Sequence, residues 1–450
     1  MTMIRSLIRF GKRQLHTIVS TEIIKPSFPT PSHLKTYNLS PADRFVPSAF
    51  IPLITFYPKI DTYHSPLDQI ISLKNSLSQT LTKYYPFAGR HARIAPTYVD
   101  CNDHGAEFVE AYVDSTLSHF LQNSQHEDLD QFFPYGRVWR YSNPGAHDIQ
   151  TDTVIPLVVK VNHFECGGVA VAVSLSHKIA DACSMIHFLK DWAKLTRVCS
   201  KNEKYEDVPI EPPHFISFEN TNIKVPEFSL GVSKDCVTRS FIFPNAKLNE
   251  LKHKVTTMTA RSEQHITNPT RVEVLTWLVY KCAVAAATKN NSGSFKPSSI
   301  GFTTNIREKL MEPLPDNCIG NYLMGLVFQT KNEMDLKPEL LIGELRKQKM
   351  GIKRLKNVEA FLSLFLNFNL GEGERKNENA YICSSICGYP AYAIDFGWGA
   401  PIKATIPGRL WSNSFVMMDA PNNEGVEVLV SLEKQEMDII QRDPELLAFC

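Results

Sequence analysis

The sequence predicts an α/β (α+β) protein of two domains, and three observations carry that prediction. The chain has 450 residues, more than one hydrophobic core usually organises. Strand-length apolar runs alternate along it with stretches of helical spacing. Near the middle, residues 201–218 are charged, then proline-containing, with no apolar period, as expected of a linker crossing the surface. The expected organisation is a basic N-terminal extension (1–20), a first domain (21–200), the crossover linker (201–218) and a second domain (219–450). A site between the two domains follows naturally from it.

The elements justify this in order. Prolines at Pro26, Pro29 and Pro31 make residues 23–31 an extended lead-in. Ile51 to Pro58 reads as a strand, and Leu67 to Tyr85 as a helix with Ile70, Leu73, Leu77, Leu81 and Tyr84 near one face. Residues 154–164 and 169–176 are β-rich runs separated by Gly167 and Gly168, which predicts a hairpin. Beyond it the spacing becomes helical, with Ile186, Leu189, Trp192, Ala193 and Leu195 on the apolar side. His177 therefore falls where a core strand ends and a helix is about to begin. In the second half, a strand and helix run through residues 241–255, and Pro269 to Ala286 forms a strongly apolar helix. Phe302 to Arg307 ends a strand in a turn, and Tyr322 to Thr330 is a further strand.

Composition narrows the function classes. Apolar residues make up 43% and charged residues 21%, ordinary for a soluble globular chain and too polar for a set of membrane spans. With 48 basic and 47 acidic side chains, no broad attraction to nucleic acid or anionic membrane is expected. The ten cysteines show no Cys-x-x-Cys pair, so neither structural zinc nor a dithiol centre is expected, and no metal is assigned. They read as reduced core cysteines, Cys166 and Cys183 among them. In the first twenty residues Arg5, Arg9, Lys12 and Arg13 interleave with Ile4, Leu7, Ile8 and Phe10, and the first acid is Glu22. That composition suits either a transit peptide or a disordered basic extension. With serine sparse, the expectation is an extension on a cytoplasmic protein, mitochondrial targeting by residues 1–20 being the alternative.

Two constellations carry chemistry. His177 and Asp181 form His-x-x-x-Asp, a weak pattern alone but here placed at the end of a buried strand, where rigid backbone can hold a general base. The competing reading is a core histidine with satisfied hydrogen bonds. Residues 392–399, YAIDFGWG, look like a sharply shaped turn anchored by Phe396 and Trp398. Asp395 is then either catalytic or the group that holds the turn by accepting from backbone amides. No Gly-x-Ser-x-Gly elbow and no phosphate loop are present, which disfavours a hydrolase or a nucleotide-dependent transferase.

The pair HKIAD and DFGWG resembles the two signatures of the plant BAHD acyltransferase family. The resemblance extends through IIKPSFPTP, YYPFAGR, DCNDHGAEFVEA, TRVEVLTW, NIRE and IGN. It is nearest to the branch containing vinorine synthase, deacetylvindoline acetyltransferase and salutaridinol acetyltransferase. It implies two chloramphenicol-acetyltransferase-like domains, with mixed sheets flanked by helices and a tunnel between them. It also implies a monomer whose cosubstrate is an acyl-CoA, acetyl-CoA by preference, and whose acceptor is a small-molecule alcohol, an alkaloid or terpenoid. No permanently bound cofactor, nucleic acid or membrane partner is implied. His177 maps to the general base, with Asp181 and Asp395 beside it in the catalytic set. Asp181 also maps to a loop-shaping ion pair with Arg307, and Asp395 to a structural part. Thr270 and Arg271 map to a contact with the coenzyme phosphates, an ordinary helix cap being the equal alternative. Relatives commonly carry Ser-Ser-Trp or Thr-Ser-Trp followed by arginine, whereas this chain has Ser384, Ser385, Ile386, Cys387 and Gly388. An indole that donates to the oxyanion in some relatives is thus absent, and Ser384 and Asn305 become the candidate donors. The non-enzymatic alternative is an inactive family member serving as a binding or scaffold protein.

Overall fold

The computed structural model describes residues 16–59, 66–134, 152–200, 210–216, 218, 225–228, 235–367, 379–408 and 410–450. Two six-stranded mixed sheets organise it. Their strands, in chain order, are β1 (His16–Ile24), β2 (Phe50–Tyr57), β3 (Ala106–Val113), β4 (Leu157–Phe164), β5 (Val169–Ser176), β6 (Cys236–Pro244), β7 (Ser298–Asn305), β8 (Leu323–Thr330), β9 (Asn379–Ser385), β10 (Lys403–Thr405), β11 (Ser414–Asp419) and β12 (Gly425–Glu433). The first sheet runs β1-β3-β4-β5-β2-β10 and the second β6-β12-β11-β9-β7-β8. Each mixes parallel with antiparallel pairing: β3 with β4 and β7 with β9 are parallel, while the β4–β5 hairpin is antiparallel.

Helices cover the sheets because their apolar stripes match. The helix Pro66–Lys83 buries Ile70, Leu73, Leu77 and Leu81, and Ala182–Ser200 buries Ile186, Leu189, Trp192, Ala193 and Leu195. Every position expected on these two faces is inside. Polar groups between the helices are satisfied mutually: Ser76 meets Thr196 at 2.8 Å, and the Trp192 indole donates to the Leu73 carbonyl at 3.1 Å. The other face of the first sheet is closed by Phe56, Phe120, Phe132 and Phe164. In the second sheet the helix Arg271–Asn290 is buried almost throughout, with Trp277, Leu278 and Tyr280 in the core. Among the described residues no helix is long and apolar enough to cross a membrane.

The structure differs from the expected boundaries in three places. The basic extension was expected to reach residue 20, but β1 begins at His16, which is buried against Phe132 at a ring separation of 4.5 Å. The pairing of His16 with Val113 starts the edge of the first sheet, so residues 16–20 belong to the fold. The rest of the extension lies outside the described residues. Within the expected linker, residues 201–209 also lie outside them, yet His214–Phe215 pairs in parallel with Cys318–Ile319. Phe215 packs among Tyr37, Tyr84, Tyr85 and Phe87, and an aromatic anchor of this kind overrides the local proline signal. Finally, the second domain is not confined to residues 219–450 as a separate body, because β10 pairs with β2 and completes the first sheet. All ten cysteines are free, and most are buried or half-buried, but Cys166 in the hairpin turn and Cys450 are exposed.

A truncation series follows from the place of β1. Removing residues 1–15 is expected to leave the melting temperature unchanged. Removing residues 1–24 strips the edge strand from β3 and exposes unpaired backbone and apolar surface. It is expected to lower the melting temperature by several degrees or abolish soluble expression, and an unchanged melting curve for the longer deletion contradicts the placement of β1.

Candidate active site

His177 directly follows β5, and its backbone amide donates to the Ala49 carbonyl at 2.8 Å. Its ring Nδ1 lies 3.0 Å from the Ala180 carbonyl. A carbonyl oxygen only accepts, so Nδ1 carries the proton and Nε2 presents a lone pair. Burial holds the imidazole below the ordinary histidine range, against the pull of the Ala180 carbonyl and of Asp181. The ring is therefore neutral near pH 7, in the tautomer a general base needs.

Asp181 turns away from that ring. Its Oδ2 accepts from Arg307 Nη1 at 2.7 Å and from the Tyr322 amide at 3.3 Å. Its Oδ1 accepts from Arg307 Nη2 at 3.0 Å, the Ser184 amide at 2.9 Å and the Ser184 hydroxyl at 2.8 Å. Arg307 is wholly buried, donates further to the Cys318 and Gly320 carbonyls, and lies over the Tyr322 ring at 4.9 Å. Burial alone raises the Asp181 carboxyl, but the guanidinium and the Ser184 bonds hold it below the usual carboxylate range. This bidentate pair joins the loop after β5 to the turn after β7, one domain to the other.

The turn before β8 grips the histidine end of the loop. Asn321 Nδ2 donates to the His177 carbonyl at 2.7 Å and to Asp43 Oδ1 at 2.8 Å, and the Asn321 backbone amide reaches the same oxygen at 2.8 Å. Asp43 belongs to a capping box with Ser40 at the start of the short helix Pro41–Phe45. Beside it, Lys178 donates to the Arg44 and Val46 carbonyls and pairs with Glu227 at 3.2 Å. The sequence assigns no role to Asn321, Asp43, Ser184 or Lys178, although Asn321 and Lys178 fall within the IGN and HKIAD strings. Ser-Pro-Ala-Asp at residues 40–43 is a legible cap signature, but its partner 278 residues away is not.

The DFGWG turn is held together by its own aspartate. Asp395 Oδ1 accepts from the amides of Gly397, Trp398 and Gly399 at 2.8, 2.9 and 2.9 Å, and Gly397 and Gly399 have φ of +97° and +83°, which side chains disfavour. Arg197 donates to the Asp395 carbonyl. Phe396 packs against Trp192 and Trp398 against Tyr57, and the Tyr57 hydroxyl donates to the Ile394 carbonyl at 2.8 Å. The turn thus fastens the late chain onto the first domain just before β10. These contacts are those of a group that holds the turn.

Thr270 caps the helix Arg271–Asn290 in a reciprocal box with Glu273, and Arg346 pairs with that glutamate at 2.9 Å. Arg271 pairs with Asp419 at 2.5 Å. Both residues are already engaged, which favours the cap over the phosphate contact. Asn305 Oδ1 accepts from the Arg307 amide and guanidinium at 3.1 and 3.2 Å, which leaves its NH₂ as the donor end. Ser384 and Thr303 hydroxyls meet at 2.8 Å. Ile386 is buried in the first core. Among the described residues no group of ligands suited to a metal is present.

A two-sheet fold with His-x-x-x-Asp at the domain junction and an aspartate-held glycine turn defines the acyltransferase class that the signatures indicated. The chain belongs to the BAHD acyltransferases: the model of this family, described as the Transferase family, matches residues 16–447. It is 37% identical to akuammiline synthase 1 of Alstonia scholaris over 96% of this chain and 97% of that one. It is 34% identical to deacetylvindoline O-acetyltransferase of Catharanthus roseus, over 98% and 99%. The crystal structure of vinorine synthase superposes with a TM-score of 0.80 at 31% identity, covering 96% of this chain and 98% of that one. F. graminearum TRI101 complexed with ethyl coenzyme A shares the fold at 14% identity, with a TM-score of 0.68 over 92% and 98%.

Proposed function

We propose that this protein transfers an acyl group, acetyl by preference, from coenzyme A to the hydroxyl of an alkaloid or terpenoid alcohol, with His177 as general base. The observation that carries the reading is the Nδ1 bond of His177 to the Ala180 carbonyl, which leaves Nε2 free to take a proton. Nε2 removes the proton of the acceptor hydroxyl as its oxygen bonds to the thioester carbonyl carbon. The tetrahedral oxyanion then collapses, the carbon–sulfur bond breaks, and the imidazolium returns its proton to the departing thiolate. No acyl-enzyme forms. The acetyltransferases among the similar proteins support the donor, and similarity to deacetylvindoline O-acetyltransferase supports an alkaloid acceptor.

The two oxyanion candidates differ in what they can donate. Ser384 has a free proton only when Thr303 donates across the 2.8 Å contact instead of to the Cys383 carbonyl at 3.5 Å, whereas Asn305, with its Oδ1 held by Arg307, has its NH₂ as the donor end. Ser384→Ala is expected to lower kcat more than it raises KM. A change in kcat below about threefold, far less than an oxyanion donor usually contributes, assigns that task to another donor. Acyl-CoA donors presented with plant metabolite extracts, with esters read by mass spectrometry, test the function itself. An ester that appears only with active protein identifies the acceptor, and no ester from any donor favours a binding or scaffold role.

A further inference from the structure

We infer that Asn321 is a positioning residue for the acyl transfer, which, backed by Asp43, fixes the His177 carbonyl and through it the place and proton affinity of the imidazole. The inference rests on the general-base reading of His177 and adds a residue that the second domain contributes.

The hydrogen bonds leave the Asn321 amide one orientation. A carbonyl and a carboxylate oxygen only accept, so the NH₂ must face both His177 and Asp43. Asp43 is itself fixed, because its other oxygen, Oδ2, takes both the Ser40 amide at 3.0 Å and the Ser40 hydroxyl at 2.7 Å. Asn321 and Asp43 are both about as buried as core residues, at 1% and 2% exposure. The Asn321 Oδ1 is buried without a hydrogen-bond partner among the described residues, an unfavourable arrangement that a position kept for packing alone has no reason to carry.

The location matters as much as the bonds. Asn321 sits in the turn whose Gly320 and Tyr322 engage Ser184 and Asp181. One turn of the second domain therefore holds both ends of the loop 177–181, and Asn321 holds the end that bears the base. The Asn321 Nδ2 bond occupies the His177 carbonyl, the ring's own backbone acceptor. Removing it leaves that carbonyl dipole unpaired near the imidazole, where it favours the charged form. The other charges around the ring are Asp181, neutralised by Arg307, and Lys178, paired with Glu227, with Asp43 behind Asn321.

The test is steady-state kinetics on the full chain across pH, with acetyl-CoA and an accepted alcohol, for wild type, His177→Ala, Asn321→Ala and the exchange Asp43→Asn with Asn321→Asp. Asn321→Ala is expected to lower kcat about tenfold or more, within the range of general-base effects, with KM for acetyl-CoA changed less than about threefold. The acid limb of kcat/KM is expected to move up by about half a pH unit. The exchange variant restores a bond between positions 43 and 321 but turns an acceptor toward the His177 carbonyl. It is expected to fold and to remain slow, which keeps the inference testable should Asn321→Ala be unstable. Wild-type kcat and an unmoved acid limb in either variant overturn the inference while leaving the base intact, provided His177→Ala is inactive. Full activity of His177→Ala overturns the base and the inference together.

Discussion

His177→Ala is expected to lower kcat by about two to four orders of magnitude, the usual contribution of a positioned general base, while the protein melts within a few degrees of wild type. Both parts follow from how the residue is held. Its connections to the fold are made by backbone: the amide to the Ala49 carbonyl, and its own carbonyl to Asn321. Alanine keeps these. The side chain makes one short-range bond, to the Ala180 carbonyl within its own loop, so the substitution removes the lone pair at Nε2 and little else. Turnover and thermal denaturation measured on the same preparation check the claim. Activity near wild type, or loss of activity only through unfolding, contradicts it.

Asp181→Ala has its large effect on stability. The substitution leaves Arg307 wholly buried with no carboxylate beside it, and an uncompensated buried charge costs about 3–5 kcal/mol. Arg307→Ala strands the carboxylate and is expected to cost a similar amount. Removing both partners is expected to cost less than the sum of the single changes, since no isolated charge then remains. The pH dependence has a definite sign. The folded Asp181 carboxyl sits below its ordinary value, so its stabilising contribution is complete above the usual aspartate range and fades as pH falls through the folded pKa. Asp181→Asn therefore narrows the stability difference from wild type at acid pH. Denaturant unfolding of the single and double variants provides the comparison, and a loss below about 1 kcal/mol for Asp181→Ala, the scale of an exposed pair, contradicts the interdomain clamp.

Much of this architecture is legible in the chain because it is written locally. The helical faces at Ile70–Tyr84 and Ile186–Leu195 and the hairpin around Gly167 depend on period and turn chemistry, and they appear in the structure where they were expected. What escaped depends on partners far away in sequence. β10 looks like an unremarkable tail segment until β2 pairs with it, and β1 was hidden because its outward side chains are polar or exposed, as an edge strand permits. Asp43 and Asn321 meet only through folding. The Asp181–Arg307 pair was legible through family resemblance alone, since nothing in residue spacing connects positions 126 apart. The two readings of Asp395 were both consistent with sequence, and three amide bonds favour one of them.

The central claim, direct transfer between two bound substrates with His177 as base, is tested most directly by release of coenzyme A thiol from acetyl-CoA with and without an acceptor alcohol. Thiol is expected only when the alcohol is present, in a one-to-one ratio with ester, and His177→Ala is expected to abolish both. A burst of thiol stoichiometric with protein in the absence of alcohol indicates a covalent acyl-enzyme and contradicts the mechanism.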